Sequence, residues 1–288
     1  MTPEHSVRSH GGILCNLLVD AEKAASLKAA ANAFPSVTLT ERQLCDLELL
    51  MNGAFSPLDG FMTEAAYEGV LERMRLPHGL LWPIPIMLDV PDLLAEKLAH
   101  SSRLALLDAE GFMFAVLHVE GIWRPDKHLE AERVYGTASD RHPGVRYLYE
   151  QIHDTYVGGR INGLQPPYHY DFETLRDTPQ ELRHLFDKHG WRRVVAFHTS
   201  KPMQRLHREI TLKAAKAAQA NILLHPVAGM TKPGDLHYYA RVHCYQAIKR
   251  YYPHHLVVLS LLPMAVRMAG PREGLLNAII RQNYGCTH

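Results

Sequence analysis

The 288 residues carry 31 Lys and Arg against 30 Asp and Glu, a net charge of +1, and 47% of them are hydrophobic. Balanced charge excludes a global field for nucleic acid or an anionic membrane, so any anion site has to be local. The apolar content is ample for one large packed domain or two modest ones.

The opening Met1-Thr2-Pro3-Glu4-His5 lacks a charged segment followed by an apolar one, and no apolar run approaches the ~20 residues of a membrane span. Cys15, Cys45, Cys244 and Cys286 lie far apart with no CxxC or other metal-ligand spacing, so reduced thiols in a cytoplasm and no metal site are expected. The 19 histidines are mostly scattered, and His254-His255 falls at a turn where solvated rings are expected.

Along the chain, Glu41 through Asn52 predicts a helix stopped by Gly53. The apolar runs Leu81–Leu88 and Phe112–Leu117, set among Pro, Gly and Asp turns, predict a β-rich first part. Tyr156 to Pro167, with Gly158-Gly159 and Pro166-Pro167, is expected to be a loop-like linker. After about residue 170 the period alternates between strand and helix, the mark of a parallel α/β sheet. Val194–Phe197 is the first strand, followed by a helix with Met203, Leu206, Ile210, Ala214 and Ala217 on one face and Pro202 in its first turn. Ile222–Leu224 is the second strand and Asp235 to Tyr251 the second helix. Leu256–Leu262 and Pro271–Tyr284 form the third pair. The predicted domains are therefore residues 1–170 and 171–288.

Three segments follow those strands at one sheet edge, where open α/β sheets bind ligands. The first, His198-Thr199-Ser200-Lys201-Pro202-Met203-Gln204-Arg205-Leu206-His207, puts polar and basic groups at a helix start, which suits phosphate or sulfate. A surface helix capped by Thr199 or Ser200 explains the same residues equally well. The second runs from His225 to Asp235 and includes Lys232; its alternative is a Pro/Gly turn in which Asp235 caps a helix. The third, Leu262 to Glu273, carries Arg267 and Arg272, which suit oxyanions or tie down a loop.

These segments resemble the ATP sulfurylase (sulfate adenylyltransferase) family, whose signatures are Gln-Thr-Arg-Asn-Pro-x-His-x-x-His, His-Pro-Val-x-Gly-x-Thr-Lys-Pro-Gly-Asp and Leu-Pro-x-Ala-Met-Arg-x-Ala-Gly-Pro-Arg-Glu. The second is nearly unchanged at His225–Asp235, and the third differs mainly at Val266. His10-Gly11-Gly12, Gln43–Glu48, Asn52–Phe61 and Trp82–Ile86 also resemble that family. The resemblance implies a PUA-like first domain and a nucleotidyltransferase domain with a Rossmann-like parallel sheet. It implies that sulfate attacks the α-phosphorus of MgATP, giving adenylyl sulfate and pyrophosphate, with Mg2+ arriving on ATP and no tightly bound cofactor. It also implies a cytoplasmic homo-oligomer in sulfate assimilation, with neither nucleic acid nor membrane as partner.

Carried over by position, the catalytic set is Thr199, Ser200, Lys201, Gln204 and His207. The substrate-binding set is His198, Thr199, Ser200, Lys201, His225, Lys232, Asp235, Arg267 and Arg272. The family's Gln is here His198, its Arg is Ser200, its Asn is Lys201 and its first His is Gln204. In the family, Asn-Tyr-Gly leads into a strand and a Gly-Arg-Asp-His loop, whereas this sequence stops at His288. Three readings follow: a homologue with weak or lost activity, a nucleotidyltransferase retuned to another oxyanion, or a non-catalytic pseudoenzyme or regulatory partner. A sheet of three strands is also expected to leave an apolar edge uncovered.

Overall fold

The computed structural model describes residues 7–98, 101–199, 201–230 and 234–288. Its chain order is α1 (Ala21–Ala30), β1 (Ser36–Thr38), α2 (Glu41–Met51), β2 (Gly60–Phe61), α3 (Glu64–Arg73), β3 (Leu88–Val90) and α4 (Asp92–Leu98). Then come β4 (Arg103–Leu107), β5 (Met113–Trp123), α5 (Lys127–Tyr135), α6 (Pro143–Glu150) and β6 (Thr155–Gly163). The second part holds α7 (Pro179–Lys188), β7 (Val194–Phe197), α8 (Arg205–Ala218), β8 (Asn221–Leu224), α9 (Tyr238–Lys249), β9 (Val257–Leu259) and α10 (Gly270–Asn283).

Helix α2 starts because Thr40 and Gln43 form a reciprocal capping box, and it ends before Gly53, whose φ of 89° suits only glycine comfortably. The first sheet runs β1-β4-β5-β6-β2, with β3 also on β6. The expected linker over 156–167 is thus corrected, since most of it is the strand on which β2, β3 and β5 converge. Its glycines allow backbone contact rather than a turn. A Cβ on Gly158 would lie 2.1 Å from the Met62 carbonyl oxygen, and one on Gly159 would lie 1.9 Å from that of His118. The run Leu81–Leu88 also departs from expectation: Pro83 and Pro85 interrupt it, and only its end enters β3.

The second sheet is parallel, in the order β7-β8-β9. Helix α8 begins at Arg205, so Pro202 and Met203 precede its first turn, and α9 begins at Tyr238, after the expected Asp235. Strand β9 ends at Leu259, although Leu262 still bridges Val227 in parallel. The outer edge of β7 is partly paired. Thr287 and His288 donate to the Val194 carbonyl at 2.9 and 3.1 Å, and Ala196 donates to the His288 carbonyl at 2.8 Å.

One apolar core crosses both sheets, joining Phe55, Trp82 and Ile86 to Leu223, Leu262, Leu276, Ile280 and Tyr284. Helix α10 carries the polar anchors of that junction. Asn283 is fully buried; its Nδ2 donates to the carbonyls of Ala54 and Ser56 at 2.9 and 3.0 Å, and its Oδ1 accepts from the His10 amide at 2.8 Å. Arg272 donates to the carbonyls of Val70, Pro83 and Leu71. Just before the helix, the Arg267 guanidinium pairs with Asp46 of α2, both buried.

Asp46→Ala leaves the Arg267 charge buried without its partner, which costs about 3–5 kcal/mol. Urea unfolding followed by circular dichroism will show a midpoint lowered accordingly. An unchanged midpoint would mean that the pair contributes nothing to holding the two sheets together.

Candidate active site

The C-terminal ends of β7, β8 and β9 open on a cavity of about 270 Å³. His198 and Thr199 enter it from β7, Val227 from the segment after β8, Met264 and Val266 from the segment after β9, and Glu273 and Asn277 from α10. Burial of the strands pushes the polar ends of the chain to this edge: Ile222, Leu223 and Leu224 are fully buried, and the polar residues follow them.

The turn after β7 is held from α9. The Tyr245 hydroxyl accepts from the Thr199 amide at 3.0 Å and lies 3.3 Å from its carbonyl oxygen. Thr199 Oγ1 in turn accepts from the Lys201 amide at 3.1 Å. Lys201 and Gln204 are exposed. His207 Nδ1 accepts from the Gln204 amide at 3.0 Å, and its ring centroid lies 5.8 Å from that of Phe197. His207 therefore closes the start of α8 with its own side chain. Ser200 and Lys232 lie outside the described residues.

His198 faces two cavities, the one above and another of about 560 Å³ lined by Ala196, Arg281, Thr287 and His288. One side of the ring is exposed, yet the protein wall behind it and the Arg281 guanidinium push its pKa down to about 4. The consequence is one of sign: this imidazole is neutral at pH 7 and serves as a hydrogen-bonding group rather than a cation. His225 is fully buried, stacked edge-on to Tyr284 with centroids 4.5 Å apart. Burial first, then Arg281 and His198, hold its pKa well below the ordinary range. Neither of its ring nitrogens has a hydrogen-bond partner among the described residues.

The remaining expected residues are spread more widely. Asp235 is half-buried ahead of α9 and adds negative charge near Arg241. Arg267 and Arg272 spend their guanidinium bonds on the first domain, so the structure places both at the junction rather than in this cavity. Glu273 accepts from the Arg267 and Ala269 amides at 2.7 and 3.1 Å, tying the turn before α10 to the helix's first turn.

Sequence reasoning missed Arg241, Asn277 and Arg281. Arg281 is buried and donates to Asn277 and to the His225 carbonyl, with no Asp or Glu hydrogen-bonded to it among the described residues, and burial lowers its pKa to about 10. The signal was present: Arg281 interrupts the apolar face Leu276, Ile279, Ile280 and Tyr284, four residues after Asn277. An uncompensated guanidinium beside two neutral imidazoles can hold an anion without a competing counter-charge. Among the described residues, no group of three or more His, Cys, Asp or Glu is placed to hold a metal ion.

A β-rich domain followed by a parallel α/β sheet with a cavity at its strand ends defines the class: a PUA-like domain joined to a mixed α/β domain. A family model for the PUA-like domain matches residues 7–166, and one for ATP-sulfurylase matches residues 173–288. The chain belongs to the ATP-sulfurylase family. It is 50% identical over 283 residues to the sulfate adenylyltransferase of Neosartorya fischeri, covering 97% of this chain and 49% of that protein. The sulfate adenylyltransferase of Mycosarcoma maydis is 49% identical over the same length and coverage. The structure of a hexameric APS kinase from Thiobacillus denitrificans superimposes with a TM-score of 0.80 at 37% identity, covering 97% of this chain and 51% of that one. The chain thus spans about half the length of the curated relatives it matches.

Both imidazoles have folded pKa values below the ordinary 6.5. As pH falls, the unfolded chain takes up their protons first, so stability present above pH 6.5 is lost on the way down to about pH 4. The urea midpoint will fall through that window. In His198→Gln it will fall less, relative to that variant's own midpoint at neutral pH. An identical pH profile in the variant would show that His198 does not titrate as its surroundings require.

Proposed function

We propose that the chain is a sulfate adenylyltransferase homologue of sulfate assimilation, in which ATP and sulfate give adenylyl sulfate and pyrophosphate. Residues 1–170 serve as the PUA-like domain and residues 171–288 as part of the catalytic domain. The observation that carries this reading is the cavity at the ends of the parallel strands, with His198 and Thr199 on its rim and Arg281 beside it. The names and identity of the relatives support the same activity.

In this reading the reaction needs no covalent enzyme intermediate. A sulfate oxygen attacks the α-phosphorus and pyrophosphate leaves, so the protein's task is to place two anions in line and stabilise the charge moving to the leaving group. His198, neutral, donates or accepts a hydrogen bond, and Thr199, Ser200 and Lys201 offer hydroxyls and one ammonium at the sulfate end. Gln204 and His207 stand where the family meets ATP phosphates, and His225, Lys232, Asp235, Arg267 and Arg272 complete the substrate-binding set by their positions in the sequence. Mg2+ enters with ATP as substrate. The four free cysteines suit a cytoplasmic setting, and the hexameric neighbour supports a homo-oligomer.

One set of residues favours a second reading, a non-catalytic partner or an enzyme for another oxyanion. Ser200, Lys201 and Gln204 replace an arginine, an asparagine and a histidine of the family pattern. Losing the planar double donor weakens a desolvated oxyanion by about 2–5 kcal/mol, and a lysine one residue later does not copy its fork.

Pyrophosphate release from MgATP tests the proposal. Slow release that depends on sulfate is expected, whereas release with only another oxyanion, or none at all, overturns the sulfate activity in favour of the second reading. Ser200→Arg is expected to tighten sulfate at least about tenfold in a titration, a gain of about 1.4 kcal/mol.

A further inference from the structure

On the far side of Val266 from the strand-end cavity lies a second cavity, about 190 Å³, between α6 and the turn that precedes α10. Arg42, Arg146 and Arg267 line it together with Tyr147, Met230 and Met268. Three features set it apart from a packing defect.

Arg267 is only 2% exposed, and its Nε and Nη1 have no hydrogen-bond partner among the described residues; the bond to Asp46 uses Nη2 alone. A buried guanidinium with two open donors is costly unless a ligand fills them. Three guanidinium groups stand in its wall, with Asp46 paired to Arg267, Glu130 near Arg42 and Glu150 exposed on the same lining. Apart from Glu150 and Gln151, the rest of the lining is apolar or aromatic. Arg42 lies over the Tyr147 ring, 4.8 Å from its centroid, so that aromatic face is fixed in place. Met268 adopts φ 60°, a left-handed conformation that a side-chain-bearing residue takes at some cost and that recurs at ligand sites.

The geometry points to a binding site for a small monocarboxylate with an aromatic or branched apolar body. Its carboxylate would meet the open edge of Arg267 and the Arg146 head, and its body would lie among Tyr147, Met230 and Met268. The volume is below the ~300 Å³ at which ordinary drug-sized sites begin, so a nucleoside phosphate does not fit. A bare inorganic anion would leave the apolar wall wet. The site is also coupled to the candidate active site by shared structure: Val266 lines both cavities, and its amide donates to the Met230 carbonyl at 2.9 Å.

Isothermal titration of the unaltered chain with sodium benzoate, benzyl alcohol and inorganic phosphate tests this without any turnover. Benzoate is expected to saturate one site per chain with a Kd below about 1 mM, with benzyl alcohol and phosphate each at least about tenfold weaker. Arg146→Glu, a change at an exposed rim residue that leaves the urea midpoint in place, is expected to weaken benzoate at least about tenfold. Three results would overturn the site: no benzoate binding at about ten times that concentration, equal binding of the alcohol, or unchanged affinity in the variant. Phosphate binding more tightly than benzoate would overturn its assignment to a carboxylate.

Discussion

A guanidinium and a carboxylate buried together between two sheets, Arg267 from the turn before α10 and Asp46 from α2, set the terms for the rest of the molecule. Neither charge has access to bulk water, so each depends on the other being in place. The pair fixes the first turn of α10 against the first domain, and Asn283 fixes its last turn by bonding Ala54, Ser56 and His10. Between those two points the helix supplies Glu273, Asn277 and Arg281 to the cavities at the strand ends. The β-rich domain thus holds the helix that forms one wall of the candidate active site.

That arrangement gives a nearly neutral chain a local concentration of positive charge at its strand ends. Positive charge at the strand ends is carried by Arg281, buried with amide and carbonyl partners and no Asp or Glu hydrogen-bonded to it among the described residues, flanked by two imidazoles held neutral. Neutral rings next to a cation avoid repulsion while keeping hydrogen-bonding capacity. Glu273 ties down the turn before α10, and His207 accepts from the Gln204 amide at the start of α8.

Much of this was legible in the sequence. The helix Glu41–Met51, the parallel order of the second sheet and the gathering of polar residues after its strands follow from capping and periodicity alone. The misreadings have one origin, residues whose role depends on distant neighbours. Gly158-Gly159 resembles a flexible linker until Met62 and His118 are seen to approach from adjacent backbone. Pro202 looks like a helix start because only the later Gln204–His207 bond reveals where α8 begins. Arg272 carries the composition of an oxyanion ligand, yet the carbonyls of Val70, Leu71 and Pro83 lie some two hundred residues away in sequence. Spacing along the chain carries no information about such partners.

The central claim is that the two sheets form one cooperative body, locked by Asp46–Arg267 and Asn283. Differential scanning calorimetry measures this most directly. The account predicts a single transition whose van't Hoff and calorimetric enthalpies agree. Two separate transitions, or a calorimetric enthalpy well above the van't Hoff value, would contradict it.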